Sequence, residues 1–335
     1  MQLHFSIIVP VYNRPDEVAE LLESISKQTF QDDFEVVIIE DGSTLSSKEI
    51  IEEYSPILNI TYLEKENTGP GDSRNYGMQR ATGNYFIVLD SDCILPETYL
   101  QEVVKGLNTE YVDFFGGPDN AHKSFTNLQK AINFSMTSFL TTGGIRGKAN
   151  GVTKFEPRSF NMGISKKAFE ASNGFGRIHP GEDPDLTIRL WGLGFTSKLI
   201  ENAFVYHKRR ISWSKFYTQV KKFGLVRPIL NTWHPSTRKI TYWFPTCFSV
   251  AVVSAIVLAL FSVYLPIIGV ACYYFILFIS ALISTKNVVI AFQSLLAVTL
   301  QFFGYGLAFI KSTLMLSFSK RPIEQTFPKL FFKSK

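Results

Sequence analysis

Residues 5–43, FSIIVPVYNRPDEVAELLESISKQTFQDDFEVVIIEDGS, hold the pattern that decides the fold. FSIIVPV is a short, almost wholly apolar run, the signature of a strand buried on both faces. Arg14-Pro15-Asp16 then opens a helix whose apolar positions Val18, Leu21, Leu22 and Ile25 follow helical spacing. A second apolar run from Phe34 to Ile39 stops at Glu40-Asp41-Gly42-Ser43. Strand, helix and strand within forty residues predict a parallel pair with a crossover helix.

The same alternation continues outward. Ser46 and Ser47 are placed to cap a helix containing Ile50, Ile51 and Tyr54, and residues 60–63 predict a third strand. A glycine-rich turn, Thr68-Gly69-Pro70-Gly71-Asp72, leads into a helix through Arg74, Met78 and Ala81. Tyr85–Leu89 is a fourth strand ending at Asp90-Ser91-Asp92. Pro96 is expected in the first turn of a helix with Leu100, Val103, Val104 and Leu107 on one face. The prediction is an α/β domain with a doubly wound, mostly parallel sheet. Such sheets bind ligands beyond the carboxyl ends of their strands, which is where Asn13, Asp41, Asp90 and Asp92 fall.

Charge divides the 335 residues. Residues 1–201 carry 18 Lys and Arg against 28 Asp and Glu; residues 202–335 carry 16 against one, Glu324. The acidic first part argues against a nucleic-acid partner. The second part has no charged residue from Ile240 to Thr285, nor from Asn287 to Ile310. Residues 242–263 make a helix of roughly 33 Å, enough to cross a hydrocarbon core of about 30 Å. Residues 265–284 form a second segment of that length, and 288–310 a third, cut short by Lys311 and weakened by Gln293, Ser294, Thr299, Gln301, Gly304 and Gly306. The reading is an integral membrane protein: a catalytic domain at 1–205, a basic juxtamembrane or interfacial segment at 206–240, a membrane region at 241–319 and a basic tail at 320–335.

Nine Lys and Arg precede the first span (Lys208, Arg209, Arg210, Lys215, Lys221, Lys222, Arg227, Arg238 and Lys239) with no acid among them. They predict a cytoplasmic flank that rests against anionic headgroups. Residues 5–11 are too short for a secretion signal and lack a basic leader, so the large domain is expected in the cytosol, at the cell or inner membrane. The tail cations Lys320, Arg321, Lys329, Lys333 and Lys335 also prefer the cytoplasm. Two full spans with a re-entrant or interfacial third segment reconcile both signals. The three cysteines predict no disulfide, and only Cys93 lies near polar chemistry.

Four constellations carry candidate chemistry. Asp90-Ser91-Asp92 is either a polar turn or a holder of a divalent cation shared with phosphate oxygens. Asp41 either closes a turn or accepts a hydrogen bond from a nucleobase. The glycine turn before Arg74 suits an anion, but its spacing is neither the dinucleotide fingerprint nor a P-loop. Glu182, Asp183 and Asp185 crowd the start of a helix: they either complement its dipole or leave one acid poised as a general base.

Taken together, FSIIVPVYNR, VVIIEDGST, ENTGPGDSRNYGMQRATGNYFIVLDSD, FNMGISKKAFEASNGF and GEDPDLTIRLWGLGF resemble the family 2 glycosyltransferases of GT-A fold, over roughly residues 4–210. The resemblance implies inverting transfer of a sugar from a nucleotide-diphosphate sugar to an acceptor hydroxyl, with a divalent metal, Mg or Mn. It places Pro10, Asn13 and Asp41 around base and ribose, and Arg74 near the nucleotide-binding strand ends. Asp90 falls at ribose or diphosphate, and Asp92 on the metal, with Asp90 beside it. Asp183 matches the general base with Glu182 next to it, and His207 is similar to a third metal contact found in some GT-A enzymes. Gln219 in QVKKFG is followed by Lys222 and Phe223 where processive synthases have Arg-Trp, which argues against processive synthesis. Spans close to the site suggest a lipid-linked or envelope glycan acceptor, with pocket loops such as residues 143–152 setting its identity. Two rivals are a nucleotidyltransferase, which needs a basic clamp near the first strand where only Arg14 stands, and a scaffold or transport protein with a degenerate domain.

Overall fold

The structure is a computed structural model that describes residues 2–120, 125–142, 155–207 and 212–332. The chain forms two compact units, and they are not contiguous in sequence: residues 1–122, 149–208 and 331–335 make one, residues 123–148 and 209–330 the other.

The first unit begins β1 (Phe5–Val11), α1 (Pro15–Ser26), β2 (Phe34–Asp41), α2 (Lys48–Tyr54), β3 (Ile60–Lys65), α3 (Pro70–Arg80) and β4 (Tyr85–Leu89). It continues with β5 (Cys93–Ile94), α4 (Tyr99–Thr109), β6 (Phe114–Gly116) and β7 (Asp119–Asn120). After the segment in the second unit (α5, Asn127–Thr137, and α6, Phe139–Thr142) come β8 (Asn161–Ser165), α7 (Lys166–Ser172), α8 (Glu182–Gly192), β9 (Ser197–Leu199) and β10 (Val205–His207). Seven strands form one sheet in the order β3-β2-β1-β4-β8-β6-β9, parallel except where β8 runs antiparallel between β4 and β6. The strand order reverses between β1 and β4, so the crevice there opens beside Asn13 and Asp90.

Local sequence explains most of this. β1, β2 and β4 are buried on both faces, as their unbroken apolar runs require. Glu35, at the far end of β2 from the crevice, accepts hydrogen bonds from Ser6, Thr61 and Thr82, tying three strands in register. Three local expectations change. Pro96 stands outside α4, which starts at Tyr99; its carbonyl accepts from Gln28 instead. Ser47 occupies the N-cap position of α2 without capping it, since its ψ of 6° lies outside the extended range a capping residue adopts; its N–H donates to Glu40 instead. β2 and β3 run two residues further than predicted, to Asp41 and Lys65, because they pair with each other to the end.

The second unit contains α5, α6, α9 (Trp213–Trp233), α10 (Phe244–Leu260), α11 (Leu265–Thr285) and α12 (Val288–Phe318). Among the described residues, three stretches, Ile240–Leu260, Leu265–Thr285 and Val288–Phe318, are long and apolar enough to cross a membrane. Lys311 does not end the third: α12 continues through it for seven residues. Gly304 and Gly306 are packing points, since a Cβ on Gly304 would meet Val220 of α9 at 2.8 Å and one on Gly306 the Pro245 carbonyl of α10 at 2.6 Å. Small residues let helix backbones approach in this way. Large side chains such as Val253, Ile256, Phe275 and Ile283 stay exposed on the outer faces, as lipid-facing positions do.

Candidate active site

Asp41, the last residue of β2, is 3% exposed and lies in register with Lys65 of β3. Its Oδ1 accepts from Lys65 Nζ (2.6 Å) and the Thr68 N–H (3.0 Å); its Oδ2 accepts from the Gly69 N–H (2.9 Å). The anion gathered by the glycine turn is therefore the protein's own carboxylate. Gly69 makes this possible with φ of 95°, a conformation that favours glycine. Asn13, itself at φ 55°, accepts from the Thr44 and Leu45 N–H groups, so it fastens the loop after β1 to the loop after β2. Pro10 sits near the end of β1, paired with Ile39 and partly exposed.

Arg74 leaves the first turns of α3 and is 3% exposed. It donates to Asp90 Oδ1 at 2.7 Å and to Glu182 Oε1 at 3.2 Å, joining the end of β4 to the start of α8. Burial works against its charge, yet Asp90 and Glu182 more than compensate and raise its pKa. Asp90 thus faces Arg74, while Asp92 faces His207, whose Nε2 lies 3.1 Å from Asp92 Oδ1. The register of the small sheet β5-β10-β7 sets that pair, because His207 lies opposite Cys93, next to Asp92. Phe160 stacks on the imidazole at 4.6 Å.

Asp92, Cys93 and His207 bring possible ligand atoms within 4.8 Å of one another. The Cys93 thiol donates to the Phe160 carbonyl at 3.4 Å, and burial pushes its pKa well up. A protonated thiol is a poor ligand, which leaves a carboxylate and an imidazole as the donors suited to a hard or borderline cation.

The first turn of α8 separates its three acids. Asp185 pairs with Arg189 one turn on, at 3.0 Å. Glu182 is 4% exposed; burial opposes its charge, but His179 (Nδ1 to Oε1, 3.0 Å) and Arg74 hold its carboxyl below the usual range. Asp183 is partly exposed, with its Oδ1 enclosed and without a hydrogen-bond partner. Burial and then the Glu182 charge push its carboxyl above the usual aspartate range. The two adjacent carboxyls are thus pushed in opposite directions, an arrangement from which a general base can be drawn.

Of the residues predicted from sequence, Arg74, Asp90 and Glu182 form one ionic chain and Asp92 with His207 a second cluster. Asp41 and Asn13 organise loops. Sequence reasoning missed Lys65 and His179, the direct partners of Asp41 and Glu182. Lys65 was signalled only by its place at the end of β3, and His179 only by standing three residues ahead of an acid. Residues 143–152, expected to shape the acceptor pocket, and Lys208, Arg209 and Arg210 lie outside the described residues.

A mostly parallel sheet with acids at its carboxyl ends and an antiparallel strand set into it defines a GT-A α/β domain. The glycosyl transferase family 2 model matches residues 6–171, and the chain belongs to that family. It is 35% identical over 114 residues to the poly(ribitol-phosphate) beta-N-acetylglucosaminyltransferase TarS of Staphylococcus aureus, which covers 33% of this chain and 20% of that protein. It is 39% identical over 101 residues to the glycosyltransferase GlyA of Streptococcus pneumoniae, covering 30% of this chain and 14% of the relative. The match thus spans a fifth or less of these curated relatives. The mannosyltransferase PcManGT of Pyrobaculum calidifontis, solved with GDP-Man and Mn2+, superposes with a TM-score of 0.63 over 94% of this chain and 88% of its own at 16% identity, a likeness of fold.

Proposed function

We propose that the protein is a membrane-anchored, inverting glycosyltransferase that moves a sugar from a nucleoside-diphosphate sugar to the hydroxyl of a lipid-linked or envelope glycan acceptor. The observation that carries this reading is Asp183, a partly exposed acid with one enclosed oxygen and a raised pKa, beside the ion-paired Glu182 that Arg74 joins to the end of β4.

Inversion needs one base on the acceptor side of the anomeric carbon. Asp183 takes the hydroxyl proton as the oxygen attacks, a contribution of roughly 10²–10⁴-fold. Glu182 stays ionised and keeps that proton acceptor's affinity high. Arg74 holds Asp90 and Glu182 in fixed orientation, so donor and acceptor sides keep their spacing. Asp92 and His207 are the residues that would hold a divalent cation, Mg or Mn, and a bound cation would act as Lewis acid on the leaving diphosphate. The acidity of the first unit supports this, because a diphosphate approaching it needs a bridging cation. The fold neighbour's complex with GDP-Man and Mn2+ supports the same donor chemistry. The apolar helices and the cations around them support a bilayer location with the catalytic domain on the cytosolic side.

The test is a release assay on the full chain in detergent, with a panel of nucleotide sugars with and without Mn2+. Release of nucleoside diphosphate on adding acceptor, lost on chelation, is the expected result. Release of pyrophosphate would indicate a nucleotidyltransferase; no turnover with any donor would favour a degenerate scaffold.

A further inference from the structure

The chain returns to the site after the membrane region. Phe331 forms an antiparallel bridge with Ile178, and the Phe332 N–H donates to the Arg177 carbonyl at 3.3 Å. Both residues belong to the first unit although the sequence before them belongs to the second. This pairing fixes where the Phe332 ring goes. A Cβ built on Gly69 would meet ring atoms at 2.2–2.4 Å, so the ring lies directly against the glycine whose N–H is bonded to Asp41. Its ring centroid also lies 5.9 Å from that of His179, the partner of Glu182, tilted by 52°. Phe332 remains partly exposed.

We infer that Phe332 is a donor-binding residue, a platform on which the nucleobase of the donor stacks, supplied by the segment that follows the membrane helices. The inference rests on the nucleoside-diphosphate-sugar reading above. A half-exposed aromatic ring held by backbone pairing, beside a carboxylate that keeps acceptor capacity on Oδ2, is a combination that recognises a planar ring bearing an N–H. Gly69 is suited to it twice: its φ of 95° lets its N–H reach Asp41, and its missing side chain lets the ring approach. Stacking accepts any base, so the platform contributes affinity and leaves the choice of base to hydrogen bonding.

The experiment is calorimetry of UDP, GDP, ADP and CDP with Mn2+ on the full chain, for wild type, Phe332→Ala, Phe332→Leu and Phe332→Tyr, each checked for unchanged Tm. For the nucleotide that wild type binds, Phe332→Ala is expected to weaken binding roughly tenfold or more. Phe332→Leu, apolar but not aromatic, should weaken it similarly, and Phe332→Tyr should restore it. In turnover the loss should appear in KM for the donor, with kcat nearly unchanged. Equal binding by wild type and Phe332→Ala, or rescue by Leu as complete as by Tyr, overturns the stacking role alone. Tighter binding by Phe332→Ala also overturns it and makes the ring a plug. A wild type that binds none of the nucleotides overturns the functional reading and this inference with it.

Discussion

Asp183 and Glu182 are adjacent acids with different partners. Glu182 has Arg74 and His179; Asp183 has an enclosed oxygen and a charged neighbour. Asp183→Asn is expected to lower kcat by roughly 10²–10⁴-fold while nucleotide affinity stays within twofold; turnover near wild type on the true acceptor would remove Asp183 from the role. The base must be ionised to act, and its pKa is raised, so kcat/KM falls as pH drops through a value above the ordinary aspartate range. An acid limb at or below that range would point to another base. For the cation, Asp92→Ala and His207→Ala are each expected to abolish the Mn2+ dependence of UDP or GDP binding in calorimetry. Unchanged metal response in both would leave their 3.1 Å contact an ion pair beside the small sheet.

Helices and strands hold these residues by a few buried contacts. Arg74 links α3 to α8, and replacing it with Met leaves Glu182 enclosed without its guanidinium partner. Breaking a buried pair from one side is expected to cost about 3 kcal/mol, seen as a clear fall in Tm, with activity lost as well. β8 tests packing alone. Gly163 faces Phe115, a fully buried ring stacked on Tyr85, and a Cβ there would sit 1.9 Å from ring carbon. Gly163→Ala should therefore destabilise by about 1–3 kcal/mol without shifting the pH profile. An unchanged Tm would mean that β8 can move away from β6 at no cost.

Across the whole molecule, three helices long enough to span a membrane raise a question of parity. Three full crossings would put residues after Phe318 on the face opposite to residues before Ile240. Phe331, however, pairs with Ile178 of the catalytic unit. α9 carries Lys215, Lys221, Lys222 and Arg227 and is a poor span, so the prediction is two full crossings, with α12, which carries Gln293, Gln301 and Lys311, as the segment expected not to cross. A reporter active only outside the cytoplasm should stay silent when fused after Lys335, and one active only in the cytosol should work at either end. A strong external signal after Lys335 would mean three crossings and a Phe331–Ile178 pairing that does not form in the membrane.

The linear sequence determined whatever depends on near neighbours. Apolar runs of five to eight residues bounded by turn residues read as strands buried on both faces, so β1, β2 and β4 were legible, as was the helical spacing of α1. Stretches of twenty uncharged residues are legible as membrane segments because hydrocarbon tolerates little else. The clustering of acids at strand ends was legible for the same local reason, since a strand stops where polar residues begin. Partnership was not. Nothing in EDGS says that Asp41 faces Lys65 and two loop amides, and nothing in DSD says that Asp90 turns to Arg74 while Asp92 turns to His207, 115 residues on. Those pairings come from the tertiary fold, and so does the raised pKa of Asp183, which depends first on what encloses it. The return of Phe331 and Phe332 to the site is of this kind too: a segment after three apolar helices carries no local mark of the sheet it joins, and only folding brings it there.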